Sequence, residues 1–199
     1  MKIKTIFLDL DDVLNRFTMY ALQHVGCAVD AYDDSIYEPE WGWDIVKAAN
    51  ALPAIAGPVW QGTFTAEKFW SYIGREVWAN APASDECYLL LGMCENLVGY
   101  EDICILSSPT LDPECLAGKL EWIHRYMPKY LHRQYLIGPK KWMCARPDAL
   151  LIDDSYDNVF SFRNAGGQAL LVPRPWNILH ESNAMKHLRW SFEIIKRSQ

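Results

Sequence analysis

The chain has 199 residues, 50% hydrophobic and 22% charged, with a formal net charge of −6. That length suits one domain, or one core with a modest insertion, and the composition is that of a globular protein able to bury a core. No apolar run reaches the ~18 residues a membrane-crossing helix needs. Residues 1–99, with 6 basic against 14 acidic side chains, and residues 100–199, with 13 against 11, give no footprint for a long nucleic acid, though the second half leaves room for a local phosphate site.

The N-terminus, Met1 to Phe7, carries lysines but no long apolar stretch before a cleavage site, so no secretory signal is visible and a soluble cytoplasmic protein is expected. Residues 3–9 form an apolar, β-branched run that stops in a cluster of acids, the pattern of a buried strand ending at a site. Residues 16–99 break the rhythm and read as a mostly helical insertion, with amphipathic pieces at Phe17–Val25 and Ala66–Val77 around a proline- and glycine-marked middle, Leu52 to Gly62. Further strand-like runs follow at 102–108, 132–138, 148–154 and 168–173. Between them, Asp112 to Tyr126 reads as a helix with Leu116, Leu120 and Ile123 on one face and Pro113 suited to its first turn. Asp157 to Ala165 reads as a shorter helix stopped by Gly166 and Gly167. Asn183 to Lys196 closes the chain as a helix with Trp190 and Phe192 on an aromatic face. Nearly continuous apolar strands alternating with helices predict a parallel sheet covered on both sides, an α/β fold.

The six cysteines (Cys27, Cys87, Cys94, Cys104, Cys115 and Cys144) form no CxxC pair, and no histidines sit at zinc spacing. Reduced, packed thiols are expected.

The chemistry concentrates in two acidic clusters. In Phe7-Leu8-Asp9-Leu10-Asp11-Asp12, strand spacing leans Asp9 and Asp11 towards one site, while Asp12 points elsewhere or begins a turn. Ile152-Asp153-Asp154 repeats the arrangement at the end of another strand. In an open parallel sheet, ligands sit beyond the carboxyl ends of the strands, so both clusters meet at one edge. Crowded carboxylates repel unless a cation compensates, and a hard divalent ion such as magnesium, with oxygen ligands, is the natural partner. Capping of turns and helices is the alternative for either cluster alone. Ser107 and Ser108, ahead of Pro109, offer a hydroxyl and backbone N–H groups to a phosphate oxygen, or simply a turn. Lys140 and Lys141 offer an ammonium that could neutralise phosphate and carboxylate together, or two solvated surface charges.

Together these residues resemble the haloacid dehalogenase (HAD) superfamily of phosphatases: DLDDVLN at 9–15 its first motif, Ser107 its second, Lys141 (or Lys140) its third, and LIDD at 151–154 with Asn158 its fourth. The resemblance implies a Rossmann-like doubly wound parallel sheet, with a core of 1–15 and 100–199 and a helical cap at 16–99. Within the superfamily the likeness leans to the 5'(3')-deoxyribonucleotidases, on Ser108-Pro109, the LIDD ending, Gly166-Gly167 and PRPWN at 173–177. It implies that Asp9 is a covalent nucleophile and Asp11 an acid–base partner, with Ser107 and Lys141 on the phosphate. Magnesium falls to Asp9, Asp11 (through its backbone carbonyl) and Asp154, with Asp153 and Asn158 beside them or as a further ligand. The implied substrate is a small phosphorylated metabolite, a nucleoside monophosphate, contacted by Ser108, Lys140 and cap aromatics among Trp41, Trp43, Trp60, Phe64 and Trp70. Those rings suit a nucleobase or an apolar ligand, or else a helix–helix core.

Rival readings are a nucleic-acid 3'-end phosphatase, a sugar or metabolite phosphatase, a nucleotide-binding module without activity, and a phospho-receiver domain. The last is disfavoured because the lysine precedes the second acidic cluster and a large insertion follows the first strand.

Overall fold

A computed structural model describes residues 2–29, 36–53 and 63–198. Five strands, β1 (Thr5–Leu8), β2 (Ile103–Ser107), β3 (Tyr135–Ile137), β4 (Ala149–Asp153) and β5 (Gln168–Leu171), form one parallel sheet in the order β3-β2-β1-β4-β5. The central strand, β1, is locked on both sides: Phe7 pairs with Cys104 of β2 and with Leu151 of β4. Its buried residues face both ways, which is why the segment reads as a continuous apolar run rather than an alternation. The chain builds outwards from β1 to β3, then crosses back to lay β4 on the other side of β1. The crevice between β1 and β4 is therefore the topological switch point of the sheet, where such folds bind ligands.

Eight α-helices accompany the sheet among the described residues: α1 (Phe17–His24), α2 (Ile45–Ala51), α3 (Ala66–Ser71), α4 (Arg75–Asn80), α5 (Cys87–Val98), α6 (Pro113–Tyr126), α7 (Tyr156–Asn164) and α8 (Ala184–Arg197). Residues of α5, α6 and α8 (Leu90, Trp122, Leu188 and Phe192 among them) pack with Ile6, Leu8 and Ile105 in the larger core. On the opposite face, Phe162 of α7 packs with Phe7, Leu106 and Leu151. Helices α1–α4 carry a separate core that includes Leu22, Ile45, Phe69 and Trp78. Helix α5, although inside the 16–99 stretch expected as a cap, packs on the sheet through Cys87, Leu90, Leu91 and Cys94.

The helix ends follow the sequence. Asp112 accepts a hydrogen bond from Glu114 N at the start of α6, with Pro113 in its first turn. Gly166, at φ +92°, ends α7 in the left-handed region that a glycine enters without a Cβ penalty. Three expectations are corrected. The buried stripe of α6 is Cys115, Gly118, Lys119, Trp122 and Ile123, and Leu116 is 42% exposed. The reason is a close approach by α4: a Cβ on Gly118 would lie 2.4 Å from Trp78 Cβ and 2.5 Å from the Arg75 carbonyl oxygen. The 66–77 segment is two helices, broken where Gly74 adopts an extended conformation as the N-cap of α4. In α8, Phe192 is buried but Trp190 is 64% exposed, because two residues span about 200° of helix and cannot share a face.

All six cysteines are free thiols. Among the described residues no helix is long and apolar enough to cross a membrane.

Candidate active site

Asp9 directly follows β1, and its backbone N–H donates to the Ile152 carbonyl oxygen of β4 at 2.9 Å. This bond pins the carboxyl end of β1 against the segment that carries Asp153 and Asp154. The chain then makes a single tight turn, with Leu14 N and Asn15 N both donating to Leu10 O. The turn passes through Asp12, at φ +58°, a left-handed conformation that aspartate tolerates better than most residues. The Asn15 side chain holds it by accepting from Asp12 N and Phe17 N. The Asp12 carboxylate accepts from the Thr18 hydroxyl at 2.6 Å and from Thr18 N at 2.9 Å, tying the start of α1 to the turn. Asp12 thus begins a turn, one of the two readings its position allowed.

Asp9, Asp153 and Asp154, all buried, each present a carboxylate oxygen within 4.8 Å of the others. Lys141 reaches into this group from a short 3-10 turn before β4, its Nζ 2.7 Å from Asp9 Oδ2 and 2.7 Å from Asp153 Oδ2. Burial acts to lower the Lys141 ammonium, but the Asp153 and Asp9 carboxylates outweigh it and hold the lysine charged, above its ordinary range. Burial pushes the Asp9 carboxyl up to about 7 even though Lys141 opposes the shift. Burial raises Asp154 too, and the charges of Asp12, Asp153 and Asp9 add to the effect. One ammonium does not neutralise three carboxylates.

The oxygens of the cluster differ in their partners. Asp9 Oδ1 accepts from Leu10 N at 2.7 Å. Asp153 accepts from Ser155 N, from Asn158 Nδ2 and from Lys141. Asp154 Oδ2 accepts from the Trp176 indole at 2.7 Å, while the buried Asp154 Oδ1 has no partner. A buried, unpaired carboxylate oxygen among further acids marks a place for a cation. The donor set is oxygen only and carries excess negative charge, so it fits a hard divalent ion such as magnesium.

Asp11 stands apart from that trio. Its carboxylate accepts from Asn15 Nδ2 and is paired with Lys119 of α6. Lys119 is 1% exposed, and its Nζ also donates to Ser107 Oγ and to the Ser108 carbonyl oxygen, each at 2.7 Å. It lies 4.8 Å from the centre of the Trp78 ring. Lys119 is not among the residues the motifs single out. The available signal was its spacing, four residues after Cys115 and three before Trp122, which puts a lysine on the buried stripe of α6.

A cavity of about 300 Å³ opens on these groups, lined by Asp9, Asp11, Ser108, Thr110 and Asn158 and by the rings of Phe17, Trp43, Trp70 and Trp78. Trp78 stacks on Phe17 with ring centres 3.8 Å apart, and Trp70 lies parallel to Trp78 within 4°, at 6.4 Å. A larger cavity, about 480 Å³, lies among Arg16, Glu38, Glu86, Arg174 and Asn183 and holds none of the clustered acids.

Of the aromatic residues expected at a ligand, Trp43 and Trp70 reach the cavity. Phe64 does not: it is 4% exposed and packs edge-on against Phe69 and Tyr72 inside the core of α1–α4. Trp41 packs on Tyr37 instead of lining the cavity. Trp60 lies outside the described residues. The two lysines separate: Lys141 is buried in the acidic cluster, whereas Lys140 is exposed on a shallow surface with Leu136 and Met143.

No family model matches the chain, and no curated protein matches it in sequence. Solved structures do share its fold. The HAD-hydrolase YfnB of Bacillus subtilis, bound to magnesium, superposes with a TM-score of 0.60 at 12% identity, over 98% of this chain and 99% of that one. A haloacid dehalogenase-like protein of unknown function from Agrobacterium tumefaciens gives 0.56 at 13% identity, over 99% and 100%. A HAD family hydrolase from Deinococcus radiodurans with bound phosphate and sodium gives 0.50 at 16% identity, over 94% and 87%. The likeness is one of fold.

Proposed function

We propose that this chain, which has the haloacid dehalogenase fold, is a magnesium-dependent phosphomonoester hydrolase that works through an aspartyl-phosphate on Asp9. The observation that carries the reading is the buried Asp154 Oδ1 without a hydrogen-bond partner, on a residue whose carboxylate clusters with those of Asp9 and Asp153 where Lys141 already holds Asp9. The magnesium of the B. subtilis structure and the phosphate of the D. radiodurans structure agree with it.

In this reading a carboxylate oxygen of Asp9 attacks phosphorus in line with the leaving oxygen, giving an acyl phosphate and releasing the alcohol. Asp11 donates the proton to the departing oxygen, then takes one from the water that hydrolyses the acyl phosphate. Lys141 keeps Asp9 ionised and oriented. Ser107 binds a phosphate oxygen, and Lys119 holds Ser107 and Asp11 in register. Asp9, Asp154 and the Asp11 carbonyl oxygen would hold magnesium, with Asp153 and Asn158 beside them or as a further ligand, and its positive charge would offset repulsion between the nucleophile and a phosphate dianion.

The finer reading is a nucleotidase acting on (deoxy)nucleoside monophosphates, as the 5'(3')-deoxyribonucleotidase resemblance implies. What supports it is the aromatic wall of Phe17, Trp43, Trp70 and Trp78 over the acids, with Trp78 parallel to both Phe17 and Trp70, a surface suited to a flat base. The test is a panel of nucleoside monophosphates, sugar phosphates, a 3'-phosphorylated oligonucleotide and an aryl phosphate, each with magnesium and after chelation. Magnesium-dependent turnover that favours nucleoside monophosphates is expected. No hydrolysis of any ester, the aryl phosphate included, would overturn the enzymatic reading. Faster turnover of sugar phosphates or of the oligonucleotide would overturn the nucleotidase reading alone.

A further inference from the structure

Trp176 has no place in the reaction sequence above, yet it is the one side chain that hydrogen-bonds the Asp154 carboxylate among the described residues. The indole N–H donates to Asp154 Oδ2 at 2.7 Å, in a pocket where Trp176 is 7% exposed. The next residue, Asn177, donates to the Asp154 carbonyl oxygen at 2.9 Å and to the Val172 carbonyl oxygen at 2.8 Å. Side chain and backbone of Asp154 are therefore both held from one short segment. The indole is itself clamped from the other side, edge-on to Tyr37 with ring centres 5.2 Å apart and edge-on to Trp43 at 5.9 Å. Trp43 in turn lines the cavity over the acids. A ring fixed on two sides cannot swing, so its N–H has one direction.

We infer that Trp176 is the positioning residue of the cation site: by engaging Asp154 Oδ2 it fixes the carboxylate and leaves the unpartnered Oδ1 for the ion, and it ties that carboxylate to the aromatic wall of the cavity. The inference rests on the reading that a divalent cation binds these acids. A group that orients a metal ligand in this way is worth about 10- to 100-fold in metal affinity when removed.

The test is direct titration of Mn²⁺, followed by electron paramagnetic resonance, on substrate-free protein. Wild type is compared with Trp176→Phe, which keeps a ring and loses the donor. Should the phenylalanine variant fail to fold, 3-benzothienyl-alanine at position 176 keeps the bicyclic shape and removes only the N–H. Either variant should bind Mn²⁺ about tenfold or more weakly. In turnover, the magnesium concentration for half-maximal rate should rise by the same factor, while substrate KM at saturating magnesium stays within twofold. A folded variant that binds Mn²⁺ within twofold of wild type would overturn the inference and leave the cation site standing. Wild-type protein that binds no Mn²⁺ would overturn the cation reading, and the role of Trp176 with it.

Discussion

The ammonium of Lys141 lies 2.7 Å from the Asp9 carboxylate, and both groups are buried. It lies equally close to Asp153, so one lysine spans the two strand ends that flank the switch point of the sheet. Breaking a buried pair by removing one partner is costly, about 3–5 kcal/mol, because the other charge is left uncompensated. Lys141→Met is therefore expected to lower stability in urea by that order and to reduce kcat at least ~10²-fold. Lys140→Ala, at an exposed position, is expected to leave both within twofold. Equal effects of the two substitutions would contradict the placement of Lys141.

Lys119 joins the Asp11 carboxylate to the Ser107 hydroxyl. Removing it leaves the acid–base group without its anchor, and acid–base assistance is worth about 10²–10⁴-fold. Lys119→Met should lower kcat by ~10²-fold or more, with Mn²⁺ affinity unchanged because Asp11's carboxylate is not in the Asp9–Asp153–Asp154 cluster. Unchanged kcat would reduce Lys119 to a packing residue.

Trp70 is 37% exposed at the cavity, parallel to Trp78. An aromatic pair contributes about 0.5–1.5 kcal/mol beyond burial. Trp70→Ala should raise KM for nucleoside monophosphates and aryl phosphates by about 2- to 10-fold and leave KM for glycerol phosphate nearly unchanged. A uniform rise across both groups would mean that the ring does not read the leaving group.

Metal removal should be visible without turnover. A ligand present at a hundred times its Kd stabilises the folded state by about 2.7 kcal/mol, roughly 5–10 °C in melting temperature for a chain of this size. Protein in EDTA should melt lower by that margin than protein in excess magnesium at pH 8, and Asp154→Asn should abolish most of the difference. An identical melting temperature in both conditions would argue against a cation at these acids.

The sheet was legible because strands buried on both faces carry uninterrupted apolar runs, and because Asp9 and Asp153 stop two of those runs. The pairing of Lys141 with Asp9 was legible only as a choice between neighbours. Burial decides it, and burial depends on the turn before β4, which no local pattern specifies. Lys119 was hidden because a lysine inside a helix ordinarily reads as solvated. Its burial follows from the close approach of α4 at Gly118, a contact between segments far apart in sequence. The same reason separates Trp70 from Phe64: both sit in one stretch of aromatic residues, but one faces the acids and the other faces its own helices. Trp176 stood out only as part of PRPWN, and its partner Asp154 is 22 residues away in sequence.

The central claim is a covalent bond between phosphorus and Asp9. It is tested most directly by acid-quenching the protein during turnover of an aryl phosphate with magnesium, reducing with borohydride and sequencing the peptides by mass spectrometry. An acyl phosphate at Asp9 is reduced to homoserine, so homoserine at position 9, absent when substrate is omitted, is the predicted result. Sustained turnover with unmodified Asp9, or homoserine at another aspartate, would contradict it.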